Sequence, residues 1–198
     1  MSKSFMPPVL CLLFILCTSF QCSDEPEPDF KEYRAISLES ISITNDQTSF
    51  MVGDTLWINI KIPNTIKDSD GEQLNINQLT DASEAFTYFV LLFKTQYENL
   101  ARISISENEI INEIGLLLPE TYDSQLRSEA ILIDGFYTAK HGILLQEPGT
   151  FTLKYPFPNE LSYGFYSEYN DTLINTVIFE NSFRSSATPN EYTFEVSN

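Results

Sequence analysis

From Thr55 to Ile62 every second residue is apolar: Leu56, Ile58, Ile60 and Ile62 alternate with Thr55, Trp57, Asn59 and Lys61. Successive side chains of a strand point to opposite faces, so this run predicts a β-strand with one face in a core and the other toward solvent. The same alternation assigns Trp57 to the outer face, beside Asn59 and Lys61. Gly53-Asp54 before the run and Pro63-Asn64 after it are turn punctuation.

The pattern recurs along the chain. Ile36, Leu38, Ile41 and Ile43 open it, and further strands are expected over Phe86–Lys94, Leu100–Ile105, Ala130–Thr138, Gly142–Gln146, Thr150–Tyr155, Thr172–Glu180 and Glu191–Val196. Phe89-Val90-Leu91-Leu92-Phe93 is apolar on both faces and reads as a central strand. One stretch departs from the rule: Ser106-Glu107-Asn108-Glu109 has capping-box spacing, and Ile110, Ile111, Ile114 and Leu118 follow at helical intervals. A short crossover helix is expected there, limited by Gly115 and Pro119. Many short strands with frequent turns and one short helix describe an all-β fold, a single antiparallel sandwich. The stretch Thr48–Leu56 resembles the opening of immunoglobulin-like modules of bacterial surface proteins, and Glu147–Leu153 is similar to one of their late strands. The resemblance implies an immunoglobulin-like sandwich and carries no function with it.

The first residues read differently. Lys3 precedes the apolar run Val9–Cys17, whose nine residues would cover about 13 Å as a helix, short of the ~30 Å hydrocarbon layer. Residues 1–21 are therefore read as an export signal. The run ends in Thr18-Ser19-Phe20-Gln21-Cys22, followed by Ser23-Asp24-Glu25-Pro26-Glu27-Pro28-Asp29. This resembles the lipobox and acidic tether of surface lipoproteins of the Bacteroidetes type. The resemblance implies that Cys22 becomes the first mature residue and carries acyl chains, with the body at the outer membrane facing the cell exterior. Cys11 and Cys17 would leave with the signal, so one mature chain could form no internal disulfide. Residues 22–35 are read as an acidic, proline-containing tether and 36–198 as the β-sandwich domain.

Charge narrows the partners. With 11 Lys+Arg against 28 Asp+Glu, the chain carries −17, which argues against nucleic acid, whose binding relies on cations at phosphates. It equally argues against electrostatic docking on anionic lipid. The expected partners are the membrane, through the anchor on Cys22, and a glycan or an envelope protein.

Chemistry is sparsely supplied. His141 is the only histidine; set in Lys140-His141-Gly142, it reads as an exposed turn between strands. Neither G-x-S-x-G nor a phosphate-cradling glycine loop occurs. Zinc-type sites want several His or Cys ligands, so no cofactor is expected and calcium is the metal to weigh. Its candidates are Asp68, Asp70 and Glu72 in a polar loop, against the simpler reading of a solvated hairpin. Paired carboxylates for a small glycoside hydrolase cannot be recognised by spacing in so acidic a chain. Trp57, Tyr163, Tyr166 and Tyr169 are candidate ligand-binding rings, able to stack on a sugar or anchor a partner, against burial under a folded-over loop. Asp54-Thr55-Leu56 and Asp171-Thr172-Leu173 resemble the Bacteroidetes O-glycosylation sequon, which makes Thr55 and Thr172 candidate glycosylation sites. The expectation is a non-catalytic binding or accessory module, with a carbohydrate-binding or polysaccharide-uptake helper as the alternative.

Overall fold

The computed structural model describes residues 29–79, 85–120, 124–154, 161–165, 173–186, 188 and 191–198. Along the chain run β1 (Asp29–Ile43), β2 (Ser49–Met51), β3 (Thr55–Pro63), β4 (Thr65–Lys67) and β5 (Gln73–Asn75). A single helical turn, α1 (Ile76–Leu79), precedes β6 (Ala85–Gln96) and β7 (Asn99–Arg102). Then come β8 (Ile110–Ile114), β9 (Leu116–Pro119), β10 (Leu126–Ile133), β11 (Phe136–Leu144), β12 (Gly149–Lys154), β13 (Leu161–Phe165), β14 (Leu173–Phe183) and β15 (Glu191–Ser197). The fold is all-β and sandwich-like, with mostly antiparallel pairing. The parallel pairs are β1 with β14 and β15 with β2.

The strand order β13-β14-β1-β3-β11-β10-β6-β12-β15-β2 turns on β6. Its first half, to Val90, pairs with β10, while Leu91–Lys94 pair with β12. Val90, Leu91 and Leu92 are all buried, which explains the run with no polar face. The β3 alternation is realised in full: Leu56, Ile58, Ile60 and Ile62 are buried, and Thr55, Trp57 and Asn59 are half-buried on the other side. Around the far end, Phe194 stacks on Phe151 and takes the edge of Phe50, joining β15, β12 and β2. Strand β1 already begins at Asp29, within the stretch read as tether.

Two sequence expectations are corrected. The helix expected from Ser106 to Pro119 is one 3₁₀ turn, Glu107–Glu109, followed by β8 and β9. The capping box exists, with the Ser106 N–H donating to the Glu109 carboxylate at 2.8 Å, but it caps a turn that does not propagate. Gly115 at φ +72° then reverses the chain. The second correction concerns Ala130–Thr138, expected as one strand. Asp134-Gly135, at φ 49° and 79°, makes a two-residue hairpin turn between β10 and β11, with Ile133 opposite Phe136. Asp-Gly between alternating apolar residues is itself a hairpin signal. Recognising it moves residues 136–144 into one strand and takes His141 out of any turn.

Strands β10 and β11 stay paired only from Ile131 to Ile133, then part. The β8–β9 hairpin enters this fork, β9 pairing with β10 and β8 with β11. Gly115 sits at its tip, where a Cβ would come 2.3 Å from the Glu129 carbonyl oxygen and 3.3 Å from the Ala139 Cβ.

Candidate functional site

Residues 140–142 of β11 alternate across the sheet, and the two faces they reach have different chemistry. Lys140 and Gly142 lie opposite Asn59 and Trp57, on the outer face. A Cβ on Gly142 would approach Cζ3 and Cε3 of Trp57 to 3.2 and 3.3 Å and the Thr55 methyl to 2.6 Å. The absent side chain is therefore the seat of the indole. The Lys140 ammonium lies 5.1 Å from the indole centroid, a cation–π distance, and is held by the Glu113 carboxylate at 2.7 Å. Thr55, read as a glycosylation candidate, is half-buried against this seat.

Lys140 also lines an open cleft of about 490 Å³ together with Thr44, Asn45, Asp46, Asn59 and Arg184 among others; Trp57 itself is not in its lining. It lies where β1 ends in the 3₁₀ turn Thr44–Asp46, beside the end of β14, with which β1 pairs. Asn45 and Asp46 adopt φ of 61° and 50°, a left-handed conformation that Asn and Asp tolerate best after glycine. The turn is tied down from below by Asn59, whose amide donates to the Thr44 hydroxyl at 2.9 Å. Arg184 is exposed, and its backbone N–H donates to the Ile41 carbonyl at 2.8 Å. Asp46 is the one carboxylate among the described residues lining the cleft.

On the inner face the expectation for His141 is overturned. It is buried at 0% exposure, in the middle of β11. Its Nε2 lies 2.7 Å from the hydroxyl of Ser128, also 0% exposed, and its Nδ1 lies 3.0 Å from Asn112 Oδ1. The Leu117 N–H donates to the same Asn112 oxygen at 2.7 Å, and the Asn112 amide donates to the Leu117 carbonyl at 3.2 Å. Those bonds fix which atom of Asn112 is oxygen, so Nδ1–H donates to it and Nε2 accepts from Ser128. Serine, histidine and amide thus stand in the order of a nucleophilic triad. Both the serine and the imidazole are closed off from solvent. The relay instead pins the β8–β9 hairpin into its fork, Asn112 from the hairpin and Ser128 from β10 meeting on one imidazole. Burial alone pushes the imidazole down from 6.5 to about 4, so the ring is neutral near neutrality.

The remaining candidates separate in space. Asp68, Asp70 and Glu72 lie in the β4–β5 hairpin turn, where Asp68 Oδ1 accepts the backbone N–H groups of Asp70 at 3.0 Å and Glu72 at 2.8 Å. This Asx arrangement is the hairpin reading, and among the described residues no group of three or more His, Cys, Asp and Glu comes together to hold a metal. Tyr163 lies on β13 opposite Val177. Cys22, Tyr166, Tyr169 and Thr172 lie outside the described residues. The contributions of Asp46, Lys140, Gly142 and Arg184 were not singled out by sequence. The one signal was the alternation that sets Trp57 and Asn59 on a common outer face. Among the described residues no helix is long and apolar enough to cross a membrane. No protein-family model matches the chain, and no curated protein matches its sequence.

Proposed function

We propose that the protein is a lipid-anchored component of the bacterial outer membrane, attached through Cys22 and facing the cell exterior, whose β-sandwich binds a glycan or an envelope protein without catalysing a reaction. The lipobox-like approach to Cys22 and the acidic residues after it support the anchor. The observation that carries the binding reading is the outer face of β3 and β11. There an indole on a glycine seat shares Lys140 with a polar cleft, while the only histidine of the chain is buried. The Trp57 plate also favours the narrower reading of a carbohydrate-binding or polysaccharide-uptake accessory protein.

Only residues 23–28 separate Cys22 from the first strand, a reach of about 20 Å when fully extended. The anchored body would stand close to the membrane, and the chain's −17 charge would favour its orientation away from anionic headgroups. Metabolic labelling with an alkynyl fatty acid, followed by mass spectrometry, tests the anchor. The expected N-terminal residue is an acylated Cys22, the expected Cys22→Ser chain is unlabelled and leaves the detergent phase, and protease added to intact cells is expected to degrade the wild-type body. A free thiol at position 22, or complete protection from the protease, would refute the corresponding half of the proposal.

A further inference from the structure

We infer that the cleft beside Trp57 binds a neutral saccharide, one pyranose ring stacking on the indole and the next placing its hydroxyls among Thr44, Asp46, Asn59, Lys140 and Arg184. The inference rests on the binding-module reading and names its ligand class.

The cleft's chemistry selects for hydroxyl-rich, uncharged molecules. Its walls carry donors, in Lys140 and Arg184, and acceptors, in Asp46 and the hydroxyl of Thr44, within one volume of about 490 Å³. A ligand bearing many groups that both donate and accept can satisfy such a lining, whereas a purely anionic or purely apolar ligand cannot. The local charges balance. Lys140 is already paired with Glu113, and Arg184 shares the cleft with Asp46. At −17 overall, the protein repels a polyanion at long range, which disfavours a polyuronate. The indole is seated where Gly142 has no side chain, and Lys140, 5.1 Å from the ring centroid, is the residue that the indole and the cleft share, so a pyranose stacks by displacing the ammonium from the ring. The loop wall is equally fixed, because Asn59 ties Thr44 and the left-handed pair Asn45-Asp46 turns the chain over the cleft. A preformed wall reduces the ordering entropy that binding must overcome.

Trp57 is the only tryptophan, so its emission reports directly on this site. The acylated full chain in a sugar-free zwitterionic detergent is to be titrated with neutral hexasaccharides selected from a glycan microarray, and separately with polygalacturonate. Saturable quenching or shift of the emission by at least one neutral hexasaccharide is expected, with little dependence on salt. Calorimetry is expected to show binding at least about tenfold weaker for Asp46→Asn, which turns a charged acceptor oxygen into a donor, or Arg184→Gln, which removes the charged guanidinium donors, and lost for Trp57→Ala. The two exposed-turn variants are to be checked by circular dichroism, since both are expected to fold as wild type. No response to any neutral glycan would overturn the inference. So would a response confined to polygalacturonate and abolished by salt, or neutral-glycan binding indifferent to all three substitutions. Any of these outcomes leaves the anchor untouched, because that is read from the acyl mass at Cys22.

Discussion

Lys140 and His141 are consecutive residues of one strand, and they show how little a group's identity says until its face is known. Lys140 emerges on the outer side, half-buried, pairs with a carboxylate and touches an indole. His141 turns inward, where the buried Ser128 and the exposed β8 residue Asn112 complete a triad-like row. The serine and imidazole of that row are closed off from solvent, whereas Lys140 and Trp57 on the outer face are partly exposed. Hydrogen-bond order is common to catalysis and to core satisfaction; access separates them.

The sharpest way to break the inner side is at the hairpin tip. Gly115→Ala sets a methyl 2.3 Å from the Glu129 carbonyl oxygen, backbone that cannot swing aside, at a φ of +72° that alanine resists. A loss of about 4 kcal/mol is expected in urea unfolding. Because the tip anchors the hairpin that carries Asn112, amides of β8 and β9 should also lose hydrogen-exchange protection before those of β3. A variant as stable as wild type would mean that the fork does not grip the hairpin.

Next in size is the proton that His141 refuses. Its imidazole sits at about 4 when folded, against 6.5 when free, through desolvation. Between those values the unfolded chain binds a proton that the folded protein does not. The contribution is therefore complete above about pH 6.5 and is lost progressively as pH falls to about 4, amounting to about 3 kcal/mol across that window. Carboxylates add their own slope, so the informative comparison is with His141→Gln. Its amide can donate to Asn112 and accept from Ser128 without titrating. The variant should lose markedly less stability than wild type between pH 7.5 and 4, and parallel curves would place the imidazole in contact with water.

These two faces were unequally legible. The alternation from Thr55 to Ile62 sufficed to place Trp57 and Asn59 outside and four aliphatic residues inside, because a period of two leaves no other arrangement in a half-buried strand. The same kind of local signal failed after Ser106. A capping box and a helical spacing of isoleucines gave way to strands, since pairing with β10 and β11 stabilises this segment more than a two-turn helix in isolation could. For His141 the reason is simpler: the turn lies at Asp134-Gly135, so Lys140-His141-Gly142, which has the composition of a loop, falls in the middle of a strand. The cleft was beyond local reading altogether. Asp46, Lys140 and Arg184 meet only because β1, β3, β11 and β14 are adjacent in one sheet, and that order is a long-range property of the chain.

The outer face offers the smallest and most selective perturbation. In Gly142→Ala the new methyl meets the Thr55 methyl at 2.6 Å and the indole edge at 3.2 Å. Both neighbours are side chains rather than backbone, but Thr55 is β-branched and yields only by leaving its rotamer, so a stability loss of about 2 kcal/mol is expected. The indole, however, loses its seat. It should lift from the sheet and away from Lys140, shifting the emission of the only tryptophan toward that of a more solvated ring. Affinity for a stacked pyranose should fall with it, while the pH dependence contributed by His141, one residue away on the opposite face, stays as in wild type. If the substitution moved both properties, the two faces of β11 would not be the independent surfaces that their alternation implies; if it moved neither, the indole would not rest on Gly142.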